Sequence, residues 1–133
     1  EKSPRLISLF PQPEPPAEWG LSNFYQRPGR FGPHNQHQWQ NQSILCHDEN
    51  LVFLTYFNAG LRVYDISDER KPKEIACYIP ADPQIRLGPL PKSGLVTQSE
   101  DVLVDARGYI YVSDKNRGVC ILRLDESVWP RRG

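Results

Sequence analysis

Residues 40–66 read QNQSILCHDENLVFLTYFNAGLRVYDI, and residues 98–124 read QSEDVLVDARGYIYVSDKNRGVCILRL. Laid over one another 58 positions apart, the two stretches align without a gap. Gln40, Leu45, Asn58 and Gly60 meet identical residues at Gln98, Leu103, Asn116 and Gly118. The apolar pattern carries more weight than these identities. Ile44, Cys46, Val52, Leu54, Leu61, Val63 and Ile66 fall on Val102, Val104, Ile110, Val112, Val119, Ile121 and Leu124. Alternating β-branched and aromatic residues broken by polar turns, such as Phe57-Asn58-Ala59-Gly60 and Lys115-Asn116-Arg117-Gly118, are the signature of hairpins. Each copy therefore predicts a three-stranded antiparallel meander.

Working outward, ERKPKEIACYIP after Asp68 predicts a fourth strand over Glu74 to Ile79, closed by Pro80. SPRLISLFP at the start has the same order of proline, basic residue, apolar run and proline. Four-stranded antiparallel units repeated with variable inserts are the blades of a β-propeller. The fold expected is all-β: a partial propeller of about two four-stranded blades. Residues 1–12 would be the outer strand of a preceding blade, 13–42 a proline- and amide-rich loop entering the channel, and 43–80 a complete blade. Residues 81–97 would be a proline-rich insertion, and 98–133 the three inner strands of a last blade with a tail. A small β-sandwich of seven or eight strands is the competing architecture. It would leave the phase of the repeat unexplained, and two isolated blades would present bare edges and faces. The expected partner is a second polypeptide, or further copies, supplying the remaining blades.

Composition narrows the function. Sixteen basic residues balance sixteen acidic ones without a basic stripe, so no nucleic-acid footprint is visible. No apolar run reaches the length of a membrane-spanning helix, and Glu1 begins no signal peptide. Cys46, Cys77 and Cys120 are odd in number, far apart and without CxxC spacing, which favours buried free thiols in a reducing, cytoplasm-like compartment. No GxSxG, HExxH or P-loop pattern occurs.

Gly60, Leu61, Arg62, Val63, Tyr64, Asp65, Ile66, Ser67, Asp68 and Pro72 resemble the LVIVD repeat. The stretch from Asp101 to Leu124 looks like the last blade of bacterial proteins carrying it, and RFGPHNQH and LVTQSEDV look like insertions of one subgroup. The resemblance covers about residues 30–124 and implies a seven-bladed propeller; the phase of the repeat adds that a second chain, processing or oligomerisation completes it. It implies little chemistry, because propellers serve many functions. Pro33, His34 and His37 also match a Pro-His-x-x-His element of the more distantly similar selenium-binding and methanethiol oxidase propellers.

GPHNQHQ, residues 32–38, is the densest polar cluster, placed just before an innermost strand that would border the channel. His34 and His37 have three readings: ligands of a divalent transition metal, catalytic or substrate-binding groups, or structural groups satisfying backbone. TQSEDV, the equivalent entry in the second copy, adds Glu100 as a catalytic partner for the histidines. Asn35, Gln38, Gln98, Asp101 and Arg86 are the ligand-binding candidates, with Arg86 and Lys92 bordering an anionic ligand or simply solvated. If an enzyme, the protein is expected to be a channel-centred hydrolase, lyase or metal-dependent oxidase acting on a small molecule. The alternative is a non-catalytic propeller scaffold for protein partners. Asp65 and Asp114 are expected to anchor turns through backbone amides.

Overall fold

The computed structural model describes residues 3–86 and 94–129. They form two three-stranded antiparallel sheets and almost no helix. In the first sheet, β1 (Leu51–Thr55) pairs with β2 (Leu61–Asp65), and β2 with β3 (Lys73–Tyr78). In the second, β4 (Ser99–Val104) pairs with β5 (Tyr109–Asp114), and β5 with β6 (Gly118–Arg123). Two single 3-10 turns, Ala17–Trp19 and Phe24–Gln26, punctuate the proline-rich stretch. Among the described residues no helix is long and apolar enough to cross a membrane.

Strand alternation builds the core. Register sets Phe53 opposite Val63, and Thr55 opposite Leu61, so one face of the first sheet presents Phe53, Leu61 and Val63. That face packs on Val102, Val104, Ile110 and Val112 of the second sheet, each 5% exposed or less. Burying each such side chain contributes about 1.5–3 kcal/mol. The far face of the first sheet, with Leu54, Tyr56 and Tyr64, is covered by Phe24 and Phe31 from the preceding coil. The sheets thus stack head to tail: the face of the second sheet equivalent to Phe53 and Val63 in the repeat carries Tyr111 and Ile121, and it lies open with Leu103 and Val119.

The turns repeat as the strands do. Asn58 and Asn116 are both buried, and each side-chain amide donates to carbonyls of the segment entering its sheet: Phe24 (3.2 Å) and Pro28 (3.1 Å) for Asn58, Val96 (2.7 Å) for Asn116. Gly60 has φ +75°, and a Cβ there would stand 2.1 Å from the Tyr78 carbonyl oxygen, so only glycine fits. Asp114 accepts from the Thr97 hydroxyl and Gln98 N–H (both 2.6 Å) and the Asn116 N–H (2.9 Å); Asp65 accepts from Ser67 N–H (2.8 Å).

Two expected strands do not form. The innermost strand of the first copy, around Ile44 to Cys46, is absent, and Ile44 is 68% exposed. Gln40 and Asn41 adopt φ of 54° and 56°, left-handed conformations that stop an extended strand. Residues 34–37 line β1 instead, with His34 N–H to Thr55 C=O (2.8 Å), Thr55 N–H to Asn35 C=O (2.9 Å) and His37 N–H to Phe53 C=O (3.0 Å). Residues 44–46 cross to the other sheet, where Cys46 N–H meets Val104 C=O (2.9 Å) and Ala106 N–H meets Ile44 C=O (2.8 Å). The gapless repeat therefore holds for β1 with β5 and β2 with β6, while the innermost strands are offset. At the start of the chain, residues 4–11 are extended but belong to neither sheet, held by Phe10 against Tyr64 (ring centroids 4.8 Å) and Ser8 Oγ donating to Glu69 C=O (2.6 Å). Of the three cysteines only Cys46 is buried; Cys77 is exposed and Cys120 half-buried.

Candidate functional site

Where the inner edges of the two sheets face each other, an open depression of about 700 Å³ lies between residues 34–45 and β4. The main chain closes it at both ends, through the Phe57–Ser99 bridge and the Leu45–Asp105 bridge. One wall carries five amide side chains, Asn35, Gln36, Gln38, Gln40 and Gln42; Asp101, Val102 and Leu103 lie across from it. Antiparallel ladders alternate, so the bonds from residues 35 and 37 to β1 turn the Gln36 N–H and C=O away from β1 and into this gap. The same alternation, set by Asp105 N–H to Tyr109 C=O (3.0 Å), turns the Val102 carbonyl inward from the other side. The surface is rich in neutral donors and acceptors, with Asp101 as its carboxylate and no lysine or arginine among its described lining residues.

The two histidines play different parts. His37 Nδ1 accepts from Val104 N–H (3.1 Å) and Nε2–H donates to Cys46 C=O (2.9 Å), which fixes a neutral imidazole and leaves neither nitrogen for a metal or a proton transfer. His37 ties the residue 34–46 arm to β4. His34 Nδ1–H donates to Glu100 C=O (2.8 Å), its ring packs on Phe57 (4.6 Å), and Nε2 stands 4.0 Å from Glu100 Oε1. Glu100 in turn holds Lys115 Nζ at 2.6 Å. His34 thus stands beside the Glu100–Lys115 ion pair at one end of the depression. Among the described residues, no group of three or more His, Cys, Asp or Glu is placed to hold a metal ion.

Asn35 and Gln38 line the depression, as does Asp101, whose Oδ1 also accepts from Val102 N–H (2.8 Å). Gln98 does not join them. It is 2% exposed, with Oε1 accepting from Arg30 N–H (2.8 Å) and Nε2 donating to Thr97 C=O (2.7 Å). The repeat pairs it with Gln40, but the offset of the inner strands sends Gln40 to the depression and Gln98 to the interior. Arg86 is exposed on the proline-rich connection, away from the depression, and Lys92 falls outside the described residues. His47 is exposed and stacks on Trp39 (centroids 3.9 Å, planes at 12°). Lys115 and the lining residues Gln36, Gln40 and Gln42 were not singled out from the sequence. The amide run PHNQHQWQNQ signals the glutamines, whereas Lys115 reaches Glu100 only because β4 and the β5–β6 turn are neighbours in space. No protein-family model, curated protein or solved structure matches the chain.

Proposed function

We propose that this chain forms two consecutive blades of an LVIVD-type β-propeller completed by further polypeptide, and that the amide-lined depression binds a small neutral, hydroxyl- or amide-rich molecule such as a sugar. The observation that carries the reading is the His34–Gln38 segment. It runs as the innermost strand along β1 and turns backbone and amide groups into the gap facing β4. Support for blades comes from two meanders of one repeat stacked head to tail with inner strands adjacent. Neutral ligands are favoured because amides offer both donors and acceptors without the desolvation penalty of a charge, and Leu103 and Ile44 give a sugar's apolar face something to cover.

The test is saturation-transfer NMR of glucose, N-acetylglucosamine and acetylated glycine amide with the wild-type chain and with Gln36→Ala/Gln38→Ala. Transfer to at least one compound that disappears in the double variant supports the reading. No transfer at millimolar ligand, or transfer unchanged in the variant, overturns it. A second reading, acid–base chemistry in the channel, is favoured by His34 Nε2 facing the Glu100 carboxylate. It requires turnover that is lost in both His34→Gln and Glu100→Gln while ligand binding persists.

A further inference from the structure

We propose that residues 4–10 are a donated strand, which completes the second sheet of another copy of this chain by pairing along β6. The inference rests on the blade reading above, and it adds who the neighbour is and how it is held.

Three independent observations converge on it. First, Pro4-Arg5-Leu6-Ile7-Ser8-Leu9-Phe10 aligns without a gap on Pro72-Lys73-Glu74-Ile75-Ala76-Cys77-Tyr78, the sequence that makes β3, the fourth strand of the first sheet. Yet in this structure residues 4–10 pair with none of the described strands, and Leu6 and Leu9 are 81% and 78% exposed. A strand-type segment with its apolar side chains in water is an incomplete structure.

Second, β6 has no neighbour beyond it among the described residues. Because residues 105 and 109 are a hydrogen-bonded pair, Ile110, Val112 and Asp114 bond to β6, which leaves the N–H and C=O groups of Val119, Ile121 and Arg123 pointing outward from the edge. Third, an apolar cavity of about 180 Å³ opens beside this edge between the sheets, lined by Leu61, Ala76 and Tyr78 on one side and Ile110, Leu122 and Leu124 on the other. It is the space that inward side chains of a fourth strand fill.

The first sheet supplies the register. There Tyr78 lies opposite Leu61, Cys77 opposite Arg62, and Ala76 opposite Val63. Carried to the second sheet, Phe10 pairs with Val119, Leu9 with Cys120 and Ser8 with Ile121, and Leu9 enters the cavity. Within one chain, residues 8–10 are held on the far face of the first sheet by Tyr64 and Glu69, turned away from β6, so the acceptor edge is not the β6 of the same chain. The contact is heterologous, which links copies head to tail as the two sheets already are.

Leu9 and Cys120 would form a non-hydrogen-bonded cross-strand pair, close enough for a disulfide once a thiol stands at position 9. The test is Leu9→Cys in a Cys77→Ser background, oxidised with copper–phenanthroline and mapped by mass spectrometry; both changed residues are exposed, so folding is spared. The expected product is an intermolecular disulfide between the introduced thiol of the L9C variant and Cys120, absent when Cys120→Ser is added. Sedimentation velocity is expected to show association that Ile121→Pro weakens by about tenfold or more, since this proline removes an outward N–H without touching the β5 ladder. A monomer at all concentrations with no such link, or a link within one molecule, overturns the proposal. Sugar binding measured on the same variants reports on the depression at the opposite edge of the sheets, so failure of the strand and failure of the ligand site are distinguishable.

Discussion

Replacing Asn58 with alanine removes the amide that pins the incoming coil to the β1–β2 turn. In the wild type the buried Nδ2 group donates to the carbonyls of Phe24 at 3.2 Å and Pro28 at 3.1 Å, and the backbone N–H of the same residue donates to Arg30 at 3.0 Å. Alanine keeps the backbone bond and leaves two carbonyls without their donor. A lost hydrogen bond with a buried partner left behind costs about 1–3 kcal/mol. Against this, Oδ1 of Asn58 has no partner among the described residues, so its removal returns about 1 kcal/mol. The balance is a destabilisation of about 1–5 kcal/mol. With a urea m-value of about 1.5 kcal/mol/M, the midpoint falls by about 0.7–3.3 M at unchanged slope. The assay is urea unfolding followed by tryptophan fluorescence, with Asn58→Asp alongside. Aspartate keeps the shape but presents carboxylate oxygens to the same carbonyls, so it is expected to be worse than alanine. A midpoint shift of less than about 0.4 M for alanine, or aspartate milder than alanine, refutes the role assigned to the amide.

Gly60→Ala, set against the Tyr78 carbonyl at positive φ, is expected to lower stability by at least about 2 kcal/mol in a thermal melt. His37→Ala strands Val104 N–H and Cys46 C=O; it is expected to cost about 2–3 kcal/mol and to collapse hydrogen-exchange protection of the Val104 amide. Burial acts to raise the Asp105 carboxyl, but hydrogen bonds from the Arg107 guanidinium, the Tyr109 and Arg107 N–H groups and the Tyr111 hydroxyl outweigh it and hold the group below the ordinary carboxylate range. A depressed carboxyl stabilises the fold above its unfolded pKa of about 4 and loses that contribution as pH falls through its lower folded value. Asp105→Asn is therefore expected to be less stable than wild type at pH 6 and to converge on it as pH falls below the ordinary carboxylate range, read from urea midpoints across the range.

How legible each segment is in the sequence follows from its physics. β1 and β2 bury residues on both faces and β5 on one, while β6 half-buries only Cys120 and Leu122; all four carry apolar positions whose register survives alignment. Residues 34–37 pair with β1 through main-chain groups and the Thr55 hydroxyl, and their own side chains are all polar, which leaves no apolar alternation to read. Ile44, Leu45 and Cys46 do form a short apolar run, but the left-handed pair Gln40 and Asn41 redirects it. The candidate site was legible as an amide- and histidine-rich run. Which histidine is structural was not, because His37 is satisfied by Val104 and Cys46 across a tertiary contact. Gln98 illustrates the converse: an identity with Gln40 in the repeat did not mean an equivalent place once the inner strands were offset.

The stack of Trp39 on His47 makes the arm beside the depression self-reporting. An indole lying flat on an imidazole at 3.9 Å has its emission set in part by that contact. Trp19 lies under the Arg27 guanidinium and Trp129 against Phe53, whereas Trp39 meets a histidine face to face. Any ligand that parts the two rings therefore changes one emitter of the three, an optical readout of the arm that needs no label.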